Sequence, residues 1–285
     1  MPTAKTSQGP HDAIILGRRI DIIQRPNSSA LSSYLAEESK TAHYTETLFY
    51  NFNLALIDNA SAEYSFLTAF FSSNSFHQVS RQFATIFDPS FSLGQSFTKQ
   101  LVETSYDCLG ILICVRLNQY FAFELQRRKV PVADGYINGT NMLLWPRFQL
   151  AMDNHCDSIR RAASTISGRS AASALSLTSG PDAAAKQSTA PHVLTQRFGQ
   201  FLQGVLALSS DAGDEEPVGN SLSRLTVEVE AFLNKIAKGL GVGGKRERFL
   251  ANNYSLVLTI IGDTSGRLAN EQREHFESLK EVNGI

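Results

Sequence analysis

Positive charge is not in excess in this sequence. Lys plus Arg number 26 against 27 Asp plus Glu in 285 residues, a formal net charge of −1. A nucleic-acid surface draws its affinity from a cationic footprint, so that class of partner is set aside. Cysteine is scarce too. Cys108, Cys114 and Cys156 are odd in number and lack CxxC spacing, which predicts reduced thiols rather than a disulfide framework or a zinc site. No apolar run approaches the roughly 20 residues that cross a bilayer; the longest, Leu109 to Val115, is interrupted by Gly110 and stopped by Arg116. The first dozen residues have no apolar leader segment, and these absences together predict a cytosolic chain. Period-2 alternation and repeats of 20–50 residues are also missing, which argues against sheets and solenoids.

What the sequence does contain is helical periodicity. His43 to Phe71 runs without Gly or Pro, with Leu48, Phe52, Leu56, Ala60, Leu67 and Phe71 at helical spacing and Phe49, Tyr64, Phe66 and Phe70 off that stripe. A helix apolar on more than one face is central in a bundle or covered by a partner. A second helix is predicted over Ser75–Phe87, ended by Asp88-Pro89, and a third over Ser90–Arg128. A fourth spans Val132–Ala163, with Pro146 expected to kink it or mark a junction. Further helices are expected over Leu194–Leu208, Asn220–Leu240, Lys245 to about Gly262, and Arg267–Val282. Between them, residues 164–191 hold Ser, Thr, Ala, Gly or Pro at 21 of 28 positions with no aromatic residue, too little apolar surface to offset the entropy of ordering. The expected organisation is a tail and docking segment (1–28), a first helical bundle (29–163), a disordered loop (164–191) and a continuing bundle (192–285). The fold class is all-α, an elongated bundle of antiparallel helices.

No catalytic constellation emerges. Gly239 to Lys245 satisfies G-x-x-x-x-G-K, but Arg246 stands where a magnesium-binding hydroxyl is needed, and a helix precedes the run instead of a strand. A glycine-rich link between two helices is the better reading. The six histidines are scattered, and His155-Cys156, being adjacent, point to different helix faces. The carboxylates Glu37-Glu38, Glu215-Glu216 and Glu228/Glu230 lie in polar stretches and read as solvated faces. Arg127-Arg128-Lys129 closes a helix at the negative end of its dipole. No cofactor and no metal is expected.

Six separated stretches carry a family resemblance. They are ALIDN and EYSFL within Leu48–Phe71; YDCLGILICVRL followed by a break at Arg128–Pro131; LLWPRF at Leu143–Phe148; Thr195-Gln-Arg197-Phe198 with Phe201; Val227-Glu-Val-Glu-Ala-Phe232; and Phe249-Leu-Ala-Asn252-Asn253-Tyr254. In order and spacing they resemble the family of vacuolar protein sorting-associated protein 52, a subunit of the Golgi-associated retrograde protein (GARP) tethering complex. LLWPRF is the most specific element. The stretch 164–191 looks like an insertion, and the chain is expected to be an internal or C-terminal piece of a longer subunit. The resemblance implies a helical-rod fold without enzymatic activity, working at trans-Golgi network and endosomal membranes. Implied partners are the sister subunits, SNARE proteins and a Rab-type small GTPase in its GTP form, with membrane association only through them. Phe49, Phe52, Asn53 and Leu56 in the first long helix are taken as the candidate partner-facing group.

Overall fold

The computed structural model describes residues 13–26, 44–72, 75–168, 189–211, 213, 216–240 and 244–283. The expected tail 1–12, the segment holding Glu37 and Glu38, most of the 164–191 stretch, and Glu215 lie outside the described residues; 164–168 continue a helix. Among the described residues all regular structure is helical, as the periodicity predicts. A 3-10 turn (Gly17–Ile20) leads into α1 (Asp21–Gln24). Then come α2 (Thr45–Phe70), α3 (Phe76–Val102) and α4 (Cys108–Arg127). A second 3-10 turn (Pro131–Ala133) precedes α5 (Asp134–Gly168), and α6 (Val193–Leu208), α7 (Val218–Lys238), α8 (Lys245–Ile261) and α9 (Arg267–Val282) follow.

Two compact units result. Gly17–Phe148 belong to the first, and Gln149–Ile285 with Ile14–Leu16 to the second. The division falls inside α5, just past Pro146, and not in the Ser/Ala-rich stretch. The early part of α5 is tied to α4, where the buried Asn118 Nδ2 donates to the Ile137 carbonyl (3.0 Å) and to Asn141 Oδ1 (2.9 Å). Its later part belongs with α6 and α7, through the ring contact of His155 with Phe201 and the Arg160–Glu228 pair.

In the first unit α4 is the axis. It is long and apolar enough to pass for a membrane span, yet two-thirds of that window is buried inside the protein, with the amide nitrogen of the buried Asn118 bonded to α5. The predicted Ser90–Arg128 helix is in fact two, because residues 103–107 break it. Asp107 caps the new start, its Oδ1 accepting from the Gly110 N–H at 2.9 Å. Asp88-Pro89 does not end the preceding helix either. Pro89 is exposed, and the buried stripe Val79, Phe83, Phe87, Gly94, Thr98 and Val102 runs across it at helical spacing. Packing along that stripe outweighs one missing backbone hydrogen bond.

A buried charge cluster joins the first turn to this frame. Arg19 donates through Nε to Glu46 Oε1 (2.6 Å), and through Nη2 to Glu46 Oε2 (3.0 Å) and Asp107 Oδ2 (2.6 Å). The Arg19 and Glu46 side chains are only 6% and 2% exposed. Burial works against the guanidinium charge, but the hydrogen bonds and charges of Glu46 and Asp107 outweigh it and hold Arg19 protonated. Gly110 has to be glycine here, because a Cβ would lie 2.6 Å from Arg19 Nη2 and 2.8 Å from Asp107 Oδ2.

The second unit is built around α8, which packs against α6, α7 and α9. Leu222, Leu225, Val229, Phe232, Leu233 and Ile236 of α7 are all buried, as their spacing predicts. Tyr254 is enclosed, and burial pushes its phenol up to about 12. The glycine run joins α7 to α8, with Gly244 at a left-handed φ of 74° before Lys245. Gly266, at φ 102°, turns the chain between α8 and α9 where a Cβ would meet the Ser210 carbonyl oxygen at 2.6 Å.

Removing the Arg19 side chain strands a buried carboxylate. Arg19→Ala should lower unfolding free energy by about 3–5 kcal/mol, read as a fall in the urea midpoint of the first unit. In the second unit, His192 caps α6 with Nδ1 accepting from the Leu194 N–H at 3.0 Å, and burial holds its imidazole below the ordinary 6.5. A depressed folded pKa contributes stability that is present above about 6.5 and lost as pH falls through the folded value. Wild type should therefore lose more of its thermal midpoint between pH 7.5 and 5 than His192→Asn, whose cap does not titrate.

Candidate partner-binding surface

The aromatic richness of α2 is divided between inside and outside. Phe49 and Asn53 are fully enclosed. Asn53 Oδ1 accepts from the Tyr136 hydroxyl at 2.6 Å, while its Nδ2 donates to the Phe49 carbonyl at 2.9 Å. Phe52 is half-buried with its ring 4.7 Å from that of Phe97. Leu56, also half-buried, lies over Gly94, where a Cβ would stand 3.1 Å from its methyl. The structure therefore turns all four candidate residues toward neighbouring helices of their own unit.

Further along the same helix the inward side is completed by Ala60, Leu67, Val79, Phe83 and Phe87, a cluster shared by α2 and α3. Phe83 and Phe87 stack with centroids 4.8 Å apart and planes 2° from parallel. Opposite this core, Ala62, Ser65, Phe66, Ala69 and Phe70 are exposed. Their i, i+3, i+4, i+7, i+8 spacing places them in one stripe with no charge in it. Phe66 is 56% exposed and Phe70 68%, and Phe76 at the start of α3 is 54% exposed. The Phe66 and Phe70 rings stack on each other at 5.6 Å, and Phe70 meets Phe71 edge-on at 4.9 Å. Scattered apolar residues are ordinary on a protein surface, but an uncharged stripe with paired aromatic rings is a typical contact surface.

The basic knuckle has other work. Arg127 pairs with Glu124 at 2.6 Å and Arg128 with Asp58 at 2.6 Å. Glu228 and Glu230, likewise, are held by Arg160 and His275. Among the described residues no group of three or more His, Cys, Asp or Glu converges as metal ligands would. The thiols of Cys108, Cys114 and Cys156 are buried and unbridged, and burial pushes Cys114 and Cys156 upward in pKa.

The family model described as Vps52, C-terminal, matches residues 2–283. The chain belongs to the Vps52 family. It is 32% identical over 255 residues to vacuolar protein sorting-associated protein 52 of Schizosaccharomyces pombe, covering 90% of this chain and 47% of that protein. With the Saccharomyces cerevisiae protein of the same name it shares 36% over 246 residues, covering 83% of this chain and 37% of that protein. The human homolog is 25% identical over 271 residues, 94% of this chain and 34% of that protein. The chain thus spans between a third and a half of the length of these relatives. No solved structure matches it.

Most of the stretches that mark the Vps52 resemblance fasten connections between helices. In LLWPRF, Leu144 and Phe148 are core residues. Arg147 between them donates to the Ser105 carbonyl through Nη2 (2.6 Å) and Nε (3.1 Å) and lies 5.4 Å from the Tyr106 ring. It thereby clamps the break between α3 and α4. The aspartate of ALIDN is Asp58, the partner of Arg128. In FLANNY, Asn253 Oδ1 accepts from the His192 N–H (2.9 Å) and the Thr195 hydroxyl (2.5 Å), while Asn252 Nδ2 donates to the Thr189 carbonyl (2.8 Å). Those two asparagines lock the entry to α6 onto α8. Periodicity could not reveal these pairs, because each joins residues far apart in sequence. EYSFL and VEVEAF differ, since Phe66 of the first and Val227 of the second face outward.

Inside and outside aromatics should respond differently to truncation. Phe49→Ala should cost about 3–5 kcal/mol of stability. Phe66→Ser with Phe70→Ser should leave the unfolding free energy from urea titration within about 0.5 kcal/mol of wild type, as exposed substitutions do.

Proposed function

We propose that this chain is the partner-recognition part of a non-enzymatic vesicle-tethering subunit of the Golgi-associated retrograde type, acting in endosome-to-trans-Golgi transport. Membership of the Vps52 family supports this reading, and the relatives are named for vacuolar protein sorting. The observation that carries it is the uncharged Phe66/Phe70 stripe beside Phe76. Its proposed occupant is a Rab-type small GTPase in its GTP form, or a sister subunit. A GTPase orders its switch segments only with the γ-phosphate in place, so an apolar helical face can distinguish the two nucleotide states without chemistry of its own. Of the four candidate residues, Phe49 and Asn53 are enclosed in the first unit, with Asn53 bonded to Tyr136 on α5, and Phe52 and Leu56 set α2 against α3. SNARE proteins are further proposed partners, and tethering by several weak contacts gains strength from effective concentration. Membrane attachment runs through these partners, and the reading needs no cofactor.

Calorimetric titration with Golgi Rab-type GTPases, each loaded with a GTP analogue or with GDP, tests the reading. One GTP form should bind selectively, with at least tenfold loss in the Phe66→Ser, Phe70→Ser double variant. No binding to either form by the folded chain would favour the second reading, a structural piece contacting sister subunits alone.

A further inference from the structure

The second unit holds a cavity of about 170 Å³ formed by α5, α6, α7 and Ile14. Its apolar walls are Ile159, Leu194, Phe198, Phe201 and Leu225. An apolar cavity of about 150 Å³ accommodates a benzene ring, so this one has room for a single phenyl or leucyl group. Sites that enclose a whole small molecule run about 300–1,000 Å³. The dimensions therefore suit one anchoring side chain better than a free ligand or a long acyl chain.

Charge at the rim narrows the choice. Arg197 lines the cavity and is exposed to solvent. Among the described residues it makes no hydrogen bond or ion pair. Nearby arginines of the same unit are engaged: Arg160 with Asp157 and Glu228, and Arg224 with Asp153. Arg161, three residues beyond the cavity-lining Ser158, reaches only a backbone oxygen, that of Asp157 at 3.3 Å. A guanidinium without a carboxylate partner, held at the mouth of an apolar recess, is complementary to an acidic group carried next to an apolar anchor.

We propose that this cavity is a peptide-docking site that takes a phenylalanine or leucine side chain from a partner, with a neighbouring aspartate or glutamate paired to Arg197. The site lies wholly within the second unit and does not rest on the GTPase reading. Binding there would give the chain a second point of attachment, with specificity set by the anchor and its acidic neighbour.

The 285-residue chain, immobilised, is panned against a random twelve-residue peptide library, and enriched sequences are synthesised and titrated by fluorescence anisotropy. Enriched peptides should carry a phenylalanine or leucine residue beside an acidic one. Their affinity should fall at least tenfold on Arg197→Glu, which reverses the rim charge, and on Ser158→Trp, which fills the mouth. Both positions are exposed, and circular dichroism melting verifies that each variant is folded. Replacing the peptide anchor by alanine should abolish binding. Absence of enrichment, enrichment without this signature, or equal binding by Ser158→Trp overturns the proposal. Neither variant should alter GTPase titration, so the two proposals fail separately.

Discussion

Arg19 is the point on which the first unit turns. Three segments far apart in sequence meet at its guanidinium: the opening 3-10 turn, the start of α2 through Glu46, and the cap of α4 through Asp107. Enclosing these charges carries a large desolvation cost, which good geometry offsets only if every partner is present. Asp107 also accepts the Gly110 N–H, so the ion cluster and the start of the central helix are a single arrangement. The missing side chain at Gly110 leaves the room in which Arg19 reaches Asp107. Once the start of α4 is set, its almost wholly apolar surface has to be covered, and α2 and the early part of α5 lie against it.

Both units use the same device at their connections: a polar side chain from a packed helix captures the backbone of a link. Arg147 on α5 holds the Ser105 carbonyl, and Asn252 and Asn253 on α8 hold Thr189 and His192. Backbone groups at helix ends lack intrahelical partners, so a side chain that supplies one fixes the entry angle of the next helix. In this chain the stretches LLWPRF and FLANNY supply such clamps, through Arg147 in the first and through Asn252 and Asn253 in the second.

The two proposed contact surfaces differ in physical kind. The α2 stripe is a convex helical face with stacked rings, suited to another folded surface. The α5–α6–α7 cavity is a recess with a cationic rim, suited to one side chain of a flexible segment. A protein that engages partners through both gains from linkage without needing high affinity at either.

The all-α class and most helix limits were legible in the sequence, because burying one face of a helix imposes a 3.6-residue period that depends on local order alone. The inward set of α7 was legible for the same reason. Proline misled at Asp88-Pro89, where local backbone chemistry predicted an end and long-range packing carried the helix through. The five-residue break that ends at Asp107 is not visible in the pattern, since its cap acts together with an arginine 88 positions away. The candidate surface was half legible: α2 plainly had more aromatic residues than one face could bury. Which of them faced outward was decided by tertiary contacts. Tyr136, 83 residues on, claims Asn53, and α3 claims Phe52. Periodicity records that a helix has an inside. Only the neighbours that pack against it decide which side that is, because the energy of burial belongs to the pair of surfaces and not to either alone.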